Sequence, residues 1–135
     1  MFYTYTQNNS GGYFITNDNV AEYVIIEANS IDEANNKAEE IGIYFDGCSF
    51  GRDCSCCGDR WCSPYDESEK PEIYGDSIEK RIEDTLNKKI FFCKNIIIYY
   101  SSGRKVSINF VKKDKSYIDV IKDNGKEIEL KDLKI

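Results

Sequence analysis

Apolar residues in this chain recur first at every second position or in short runs, then at every third or fourth, and then the order repeats. Phe2, Tyr3 and Tyr5 open a strand, and QNNSGG (7–12) reads as a turn in which Gly11 and Gly12 are free to take positive φ. Tyr13, Phe14 and Ile15 predict a second extended piece, which TNDN (16–19) breaks. AEYVIIEA (21–28) is the clearest strand of the first half, rich in β-branched residues.

The period then lengthens. Ser30 and Glu33 form an S-x-x-E capping box, and Ile31, Ala34, Ala38 and Ile41 fall on one face, so a helix is expected over 31–41. Gly42 ends it. IYF (43–45) predicts a short strand. Residues 46–76 follow no period, and so long an irregular stretch must be held by its own side chains or by a metal. A second amphipathic helix is expected over 76–88, capped by Asp76 or Ser77, with Ile78, Ile82 and Leu86 as its stripe. NIIIYY (95–100), KVSINFV (105–111), YIDVI (117–121) and KEIEL (126–130) return to strand patterning, with Asn124-Gly125 as a two-residue hairpin turn. These elements predict an α+β fold. It has an antiparallel sheet, two helices with a long structured Cys-rich loop between them, and C-terminal β-hairpins.

Composition changes this picture in three ways. A chain of 135 residues suits one domain and can bury roughly 65–70% of its unfolded surface without covalent staples. No stretch approaches a membrane span, and the first residues carry no basic leader, so a cytoplasmic protein with reduced cysteines is expected. The net charge of −6 is unevenly spread. Residues 1–80 hold 5 basic against 16 acidic side chains and residues 81–135 hold 13 against 8, or −11 and +5. The halves can attract each other within one molecule or between copies, so a homo-oligomer is within reach, while the overall sign disfavours a nucleic-acid partner.

Candidate chemistry concentrates in GRDCSCCGDRWC (51–62). Cys54 and Cys57, followed by Gly58, have the spacing of a zinc knuckle. A four-ligand cage would need more donors, from Cys48, Cys56, Cys62, Cys93 or an aspartate such as Asp53 or Asp59. There is no histidine and no second C-x-x-C, so packed thiols are the favoured reading over zinc. A Ser-His-Asp or Cys-His site is excluded by the same lack of histidine, and no phosphate loop follows Gly11-Gly12. Binding chemistry is better supplied. Arg52, Asp59, Arg60 and Trp61 combine guanidinium forks, a carboxylate and a stacking ring, a set suited to a phosphate or a base. Gln7, Asn8, Asn9 and Ser10 offer amide and hydroxyl groups that can read a polar edge. Against these stand a local salt bridge for the Arg–Asp pairs and a core plug for Trp61.

Four stretches have a further significance: YTYTQNNSGGYF (3–14), VIIEANSIDEANNKAEEIGIYFDG (24–47), GRDCSCCGDRW (51–61) and PEIYG (71–75). Together they resemble a family of small uncharacterised proteins found mainly in bacteriophage and prophage genomes. IIIYYSSGR (96–104) resembles a later hairpin of that family more weakly. The resemblance covers about residues 1–107 and leaves 108–135 outside it. It places Cys54, Cys56 and Cys57 in the shared frame and Cys48 and Cys62 outside. The resemblance implies a phage accessory protein with no assigned chemistry. The function expected from it is non-enzymatic binding that interferes with a host system, counter-defence in the first place. It would bind a host defence protein or sequester a nucleotide signal in the infected cell's cytoplasm. The alternative is a zinc-supported nucleic-acid-binding accessory protein using Arg52, Arg60, Arg104, Lys105, Lys112, Lys113 and Lys115.

Overall fold

The structure is a computed structural model and describes residues 1–64, 66–86, 95–113 and 116–135. Two helices and a mostly antiparallel sheet make an α+β fold, as the periodicities predict. The chain runs β1 (Phe2–Gln7), β2 (Tyr23–Glu27), α1 (Ile31–Glu40), β3 (Trp61–Cys62), β4 (Glu67–Ser68), β5 (Glu72–Ile73) and β6 (Asp76–Ser77). It continues with α2 (Ile78–Leu86), β7 (Ile96–Tyr99), β8 (Lys105–Lys113), β9 (Ser116–Asp123) and β10 (Lys126–Ile128). The main sheet has the order β10-β9-β8-β7-β2-β1-β3, with β4 also on β1, while β5 and β6 form a separate hairpin.

One pairing departs from the expected antiparallel sheet. β2 and β7 run parallel, from Tyr23 opposite Ile96 to Ile26 opposite Tyr99. Alternation along a strand sets which face a side chain takes, but it carries no information on the direction of the neighbour. Buried on both faces, β2 and β7 read as continuous apolar runs, as central strands do.

The alternation splits the core in two. Tyr23 and Ile25 of β2, Ile96 and Ile98 of β7, and Val106 and Ile108 of β8 pack with Ile78 and Ile82 of α2. Val24 and Ile26 face the other way, with Tyr3 and Tyr5 of β1, and take Ala34 and Ala38 of α1. Each helix therefore covers one face. The alanines of α1 let it lie close to the sheet, and Tyr5 reaches past them to donate to Asn35 Oδ1 at 2.7 Å.

Both helix starts use the expected caps. Ser30 Oγ accepts from Glu33 N at 3.2 Å, while Glu33 reaches back to Asn29 N at 3.4 Å rather than to Ser30. Ser77 Oγ accepts from Lys80 N, which settles the cap of α2 on Ser77. Asp76 instead pairs with Lys80 and Arg81. At the end of α1, Ile43 N donates to Ala38 O and Gly42 N to Glu39 O, a Schellman closure with Gly42 at φ 108°.

That closure explains a failed expectation. Residues 43–45 form no strand, because Ile43 is spent on capping the helix and sits buried against its face. Residues 13–15 are also not a strand, since Ile15 N is taken by a side chain, Gln7 Oε1, rather than by a ladder partner. The side chains of Leu86, Lys112 and Lys113 and the whole of Cys93 and Lys115 lie outside the described residues. No helix among the described residues is long and apolar enough to cross a membrane.

Candidate functional site

The loop after α1 folds around a buried ion pair. Asp53 and Arg60 side chains are 0% and 3% exposed, with Arg60 Nε 3.7 Å from Asp53 Oδ1. An unpaired charge at that depth is costly, so each group must be fully engaged. Asp53 Oδ1 accepts from Tyr44 Oη at 2.6 Å and Oδ2 from Arg60 N at 2.9 Å. The Arg60 guanidinium donates to Tyr44 Oη, Gln7 Oε1, Tyr13 O and Ser10 O, and the Tyr13 ring lies 4.7 Å from its carbon. Burial, and then the Asp53 hydrogen bond, push the Tyr44 hydroxyl above its ordinary pKa, so it stays a donor.

Gln7 completes the ring. Its Nε2 donates to Ile15 O and Ala21 O, and its Oε1 accepts from Ile15 N and Arg60. The amide is thus saturated. Asn8 Nδ2 donates to Asp59 O, Asn8 N to Arg60 O, and Cys54 N to Ser10 Oγ. Asp59 Oδ1 accepts from Cys48 N at 2.9 Å. Three segments, 7–15, 44–53 and 54–60, are in this way tied to one buried centre. A side chain at Gly47 would run into the Asp53 carboxylate, which is why glycine stands there.

The eight residues expected to bind a partner divide accordingly. Gln7, Ser10, Arg60 and Trp61 are buried and face their neighbours. Asn8 and Asp59 are half-buried, and Asn9 and Arg52 are exposed. The structure brings all but Asn9 and Arg52 into the scaffold. The Arg60 salt bridge is local, as weighed from the sequence, but its partner is Asp53 rather than the adjacent Asp59. Trp61 is 3% exposed and packs in the core under α1.

What the loop presents outward is different. Phe50 is 76% exposed at its tip. The Arg52 guanidinium carbon lies 3.8 Å from the centroid of the Tyr44 ring, which holds an exposed cation in one place. Phe50 and Tyr44 were not read as site residues. The cue for Tyr44 was only that it falls in an aromatic run just before Asp46-Gly47.

The thiols gather beside this platform. The sulfurs of Cys54, Cys56 and Cys57 all lie within 4.8 Å of one another, and Cys54 Sγ is 2.7 Å from Cys56 Sγ. Cys48 Sγ donates to Cys54 O at 3.4 Å. Among the described residues Cys48 and Cys62 do not belong to the three-sulfur group. Hydrogen bonds from the Cys56 thiol and amide, then those of Cys57, pull Cys54 down to about 7. The same contacts push Cys56 up to about 11, so the pair releases one proton near neutrality and keeps the other.

A separate polar hollow of about 270 Å³ opens on the same sheet face as α1, over β7 to β9. Asn17, Asp18, Ile97, Lys105, Ser107, Asn109 and Lys122 line it. Lys105 there donates to Asp18 O. Arg104 is not free for a phosphate: it forks onto both Asp123 oxygens at 2.9 Å and reaches Lys134 O.

Fold and site together define an α+β protein whose central loop is built from inside by a buried arginine–aspartate pair and carries a thiol cluster on its rim. The chain belongs to a domain-of-unknown-function family, DUF7296, whose sequence model matches residues 1–117. That span takes in the motif-bearing residues and runs past residue 107 into β9. No curated protein and no solved structure matches the chain.

Proposed function

We propose that this is a non-enzymatic binding protein, phage- or prophage-encoded, that occupies a host protein, a component of bacterial defence being the favoured target. The observation that carries the reading is the division within one loop between locked and presented groups. Arg60, Gln7, Ser10 and Asp53 are consumed in holding the backbone, while Phe50 and Arg52 stand outside it. Aromatic rings and arginines on a rigid frame are the chemistry of protein interface anchors, because little ordering entropy remains to be lost on contact. The phage side of the proposal is supported by the motif resemblance alone.

Sequestration of a nucleotide is the weaker branch. It rests on Arg52, Asp59, Arg60 and Trp61, of which Arg60 and the stacking ring of Trp61 are 3% exposed and packed against the protein's own groups. The test compares host proteins retained by the wild-type chain with those retained by Phe50→Asp and Arg52→Ala. The expected result is one host protein, named by mass spectrometry, held by the wild type and lost from both variants while their circular dichroism is unchanged. Identical retention by all three removes Phe50 and Arg52 from the site. A nucleotide released when the wild type is denatured supports sequestration instead.

A further inference from the structure

The three clustered thiols are idle in the binding function proposed above, and their geometry is that of a ligand set. Cys54, Cys56 and Cys57 lie in one turn, closed by Cys57 N donating to Cys54 O at 3.1 Å. Gly58 follows at φ 84°, the backbone turn that lets the chain leave without a Cβ in the way. The anionic sulfur is the metal-binding form of a cysteine, and these three sulfurs lie within 4.8 Å of one another.

The residues around the turn also keep it in shape. Cys54 N is held by the buried Ser10 hydroxyl, and Cys48 closes on Cys54 O. Cys56 and Cys57 are exposed and Cys54 is half-buried, so an ion can reach the cluster from solvent. Two sulfurs 2.7 Å apart are closer than unbonded sulfur atoms rest comfortably. An ion bound at metal–sulfur distances of about 2.3 Å holds its sulfurs roughly 4 Å apart, so Cys54 and Cys56 must part as it enters.

We infer that Cys54, Cys56 and Cys57 form a three-thiolate site for a thiophilic d10 cation, zinc(II) or copper(I). Soft thiolates select these ions over magnesium or calcium. Three sulfurs complete a trigonal shell for copper(I), whereas on zinc(II) they leave a fourth position for water or an incoming ligand. Binding replaces thiol protons with the metal and releases them to solvent, so affinity rises with pH. The site does not depend on the host-partner reading, since it uses neither Phe50 nor Arg52.

The experiment uses the reduced full chain with one equivalent of zinc(II), and separately of copper(I), followed by alkylation with iodoacetamide and mass-spectrometric mapping. The expected result is one ion per chain and alkylation of Cys54 and Cys57 slowed roughly tenfold or more, with Cys62 unchanged. Cys56→Ser should weaken binding by about 100-fold or more, and Cys62→Ser should not. Protection of Cys54 and Cys57 by one ion only assigns the site to that ion. Failure of both ions to protect them, equal protection of Cys62, or undiminished binding by Cys56→Ser overturns the inference. Should Cys56→Ser fail to fold, the wild-type alkylation map decides alone.

Discussion

Replacing Arg60 by methionine removes a charge of similar length and leaves the aliphatic stem. The Asp53 carboxylate, 0% exposed, then keeps Tyr44 Oη and Arg60 N as donors but loses its only buried cation among the described residues. Gln7 Oε1, Ser10 O and Tyr13 O each lose a charged donor, and Ser10 and Gln7 are themselves buried. Breaking one side of a buried ion pair costs about 3–5 kcal/mol. Summing the four hydrogen bonds separately would overshoot, because Tyr13 O, at an exposed residue, can recover water. Against a total stability of about 5–15 kcal/mol, the loss is roughly a fifth or more of the whole. Urea unfolding followed by circular dichroism and by Trp61 fluorescence reads it, since Trp61 is the chain's one tryptophan and lies next to the substituted position. Asp53→Asn should cost less than Arg60→Met, because an amide oxygen still accepts from Tyr44. The double variant should cost less than the sum of the two singles, the mark of a coupled pair. A loss below about 1 kcal/mol for Arg60→Met, or additive single costs, would refute the claim that this pair organises the loop.

Three other outcomes follow from the geometry. Gly47→Ala places a methyl against the Asp53 carboxylate and should destabilise by about 1–3 kcal/mol in the same unfolding assay, whereas Gly103→Ala, with open space at its Cβ, should cost only its positive φ. The Arg104 fork holds the Asp123 carboxyl below its ordinary 3.8, so the pair's stabilisation is present above that value and is lost as pH falls through the lowered one. Asp123→Asn should therefore lose about 1 kcal/mol at neutral pH, with the two unfolding curves converging in acid, and curves that stay parallel would exclude the linkage. In the metal-free reduced chain, alkylation at Cys54 should rise with a midpoint near pH 7 while Cys56 stays unreactive to far higher pH. A common midpoint for both would mean that the sulfurs are not in contact.

Much of the fold was legible because its signals are local. Ser30 and Glu33 mark the start of α1, and Asn124-Gly125 turns β9 into β10 with φ of 51° and 83° at the two residues. Tyr74-Gly75 turns β5 into β6 with nearly the same angles, and it escaped notice because tyrosine is a rare occupant of positive φ. The direction of β7 against β2 was illegible, since no residue pattern encodes it. The site was half legible. The sequence located the cysteine loop and the groups in it, but charge and side-chain type cannot say which arginine turns inward. Arg52 and Arg60 look equivalent in GRDCSCCGDRW, yet only Arg60 meets a sealed ring of oxygens. Those oxygens come from Gln7, Ser10, Tyr13 and Tyr44, distant along the chain and assembled only by the fold.

The parallel β2–β7 pair has a kinetic meaning. β1–β2 and the run from β7 to β10 are each built from neighbouring strands, but Tyr23 meets Ile96 across 73 positions. Closing a loop of that length costs about 4 kcal/mol in chain entropy before any contact rewards it. The two halves of the sheet should therefore assemble separately and join late. Until they join, Val24, Ile25 and Ile26 on one side and Ile96, Ile97 and Ile98 on the other are bare apolar edges, open to the wrong chain as readily as to each other. The yield of soluble protein is then governed by how fast this seam closes, and substitutions along it will act on aggregation during synthesis before they act on the folded molecule.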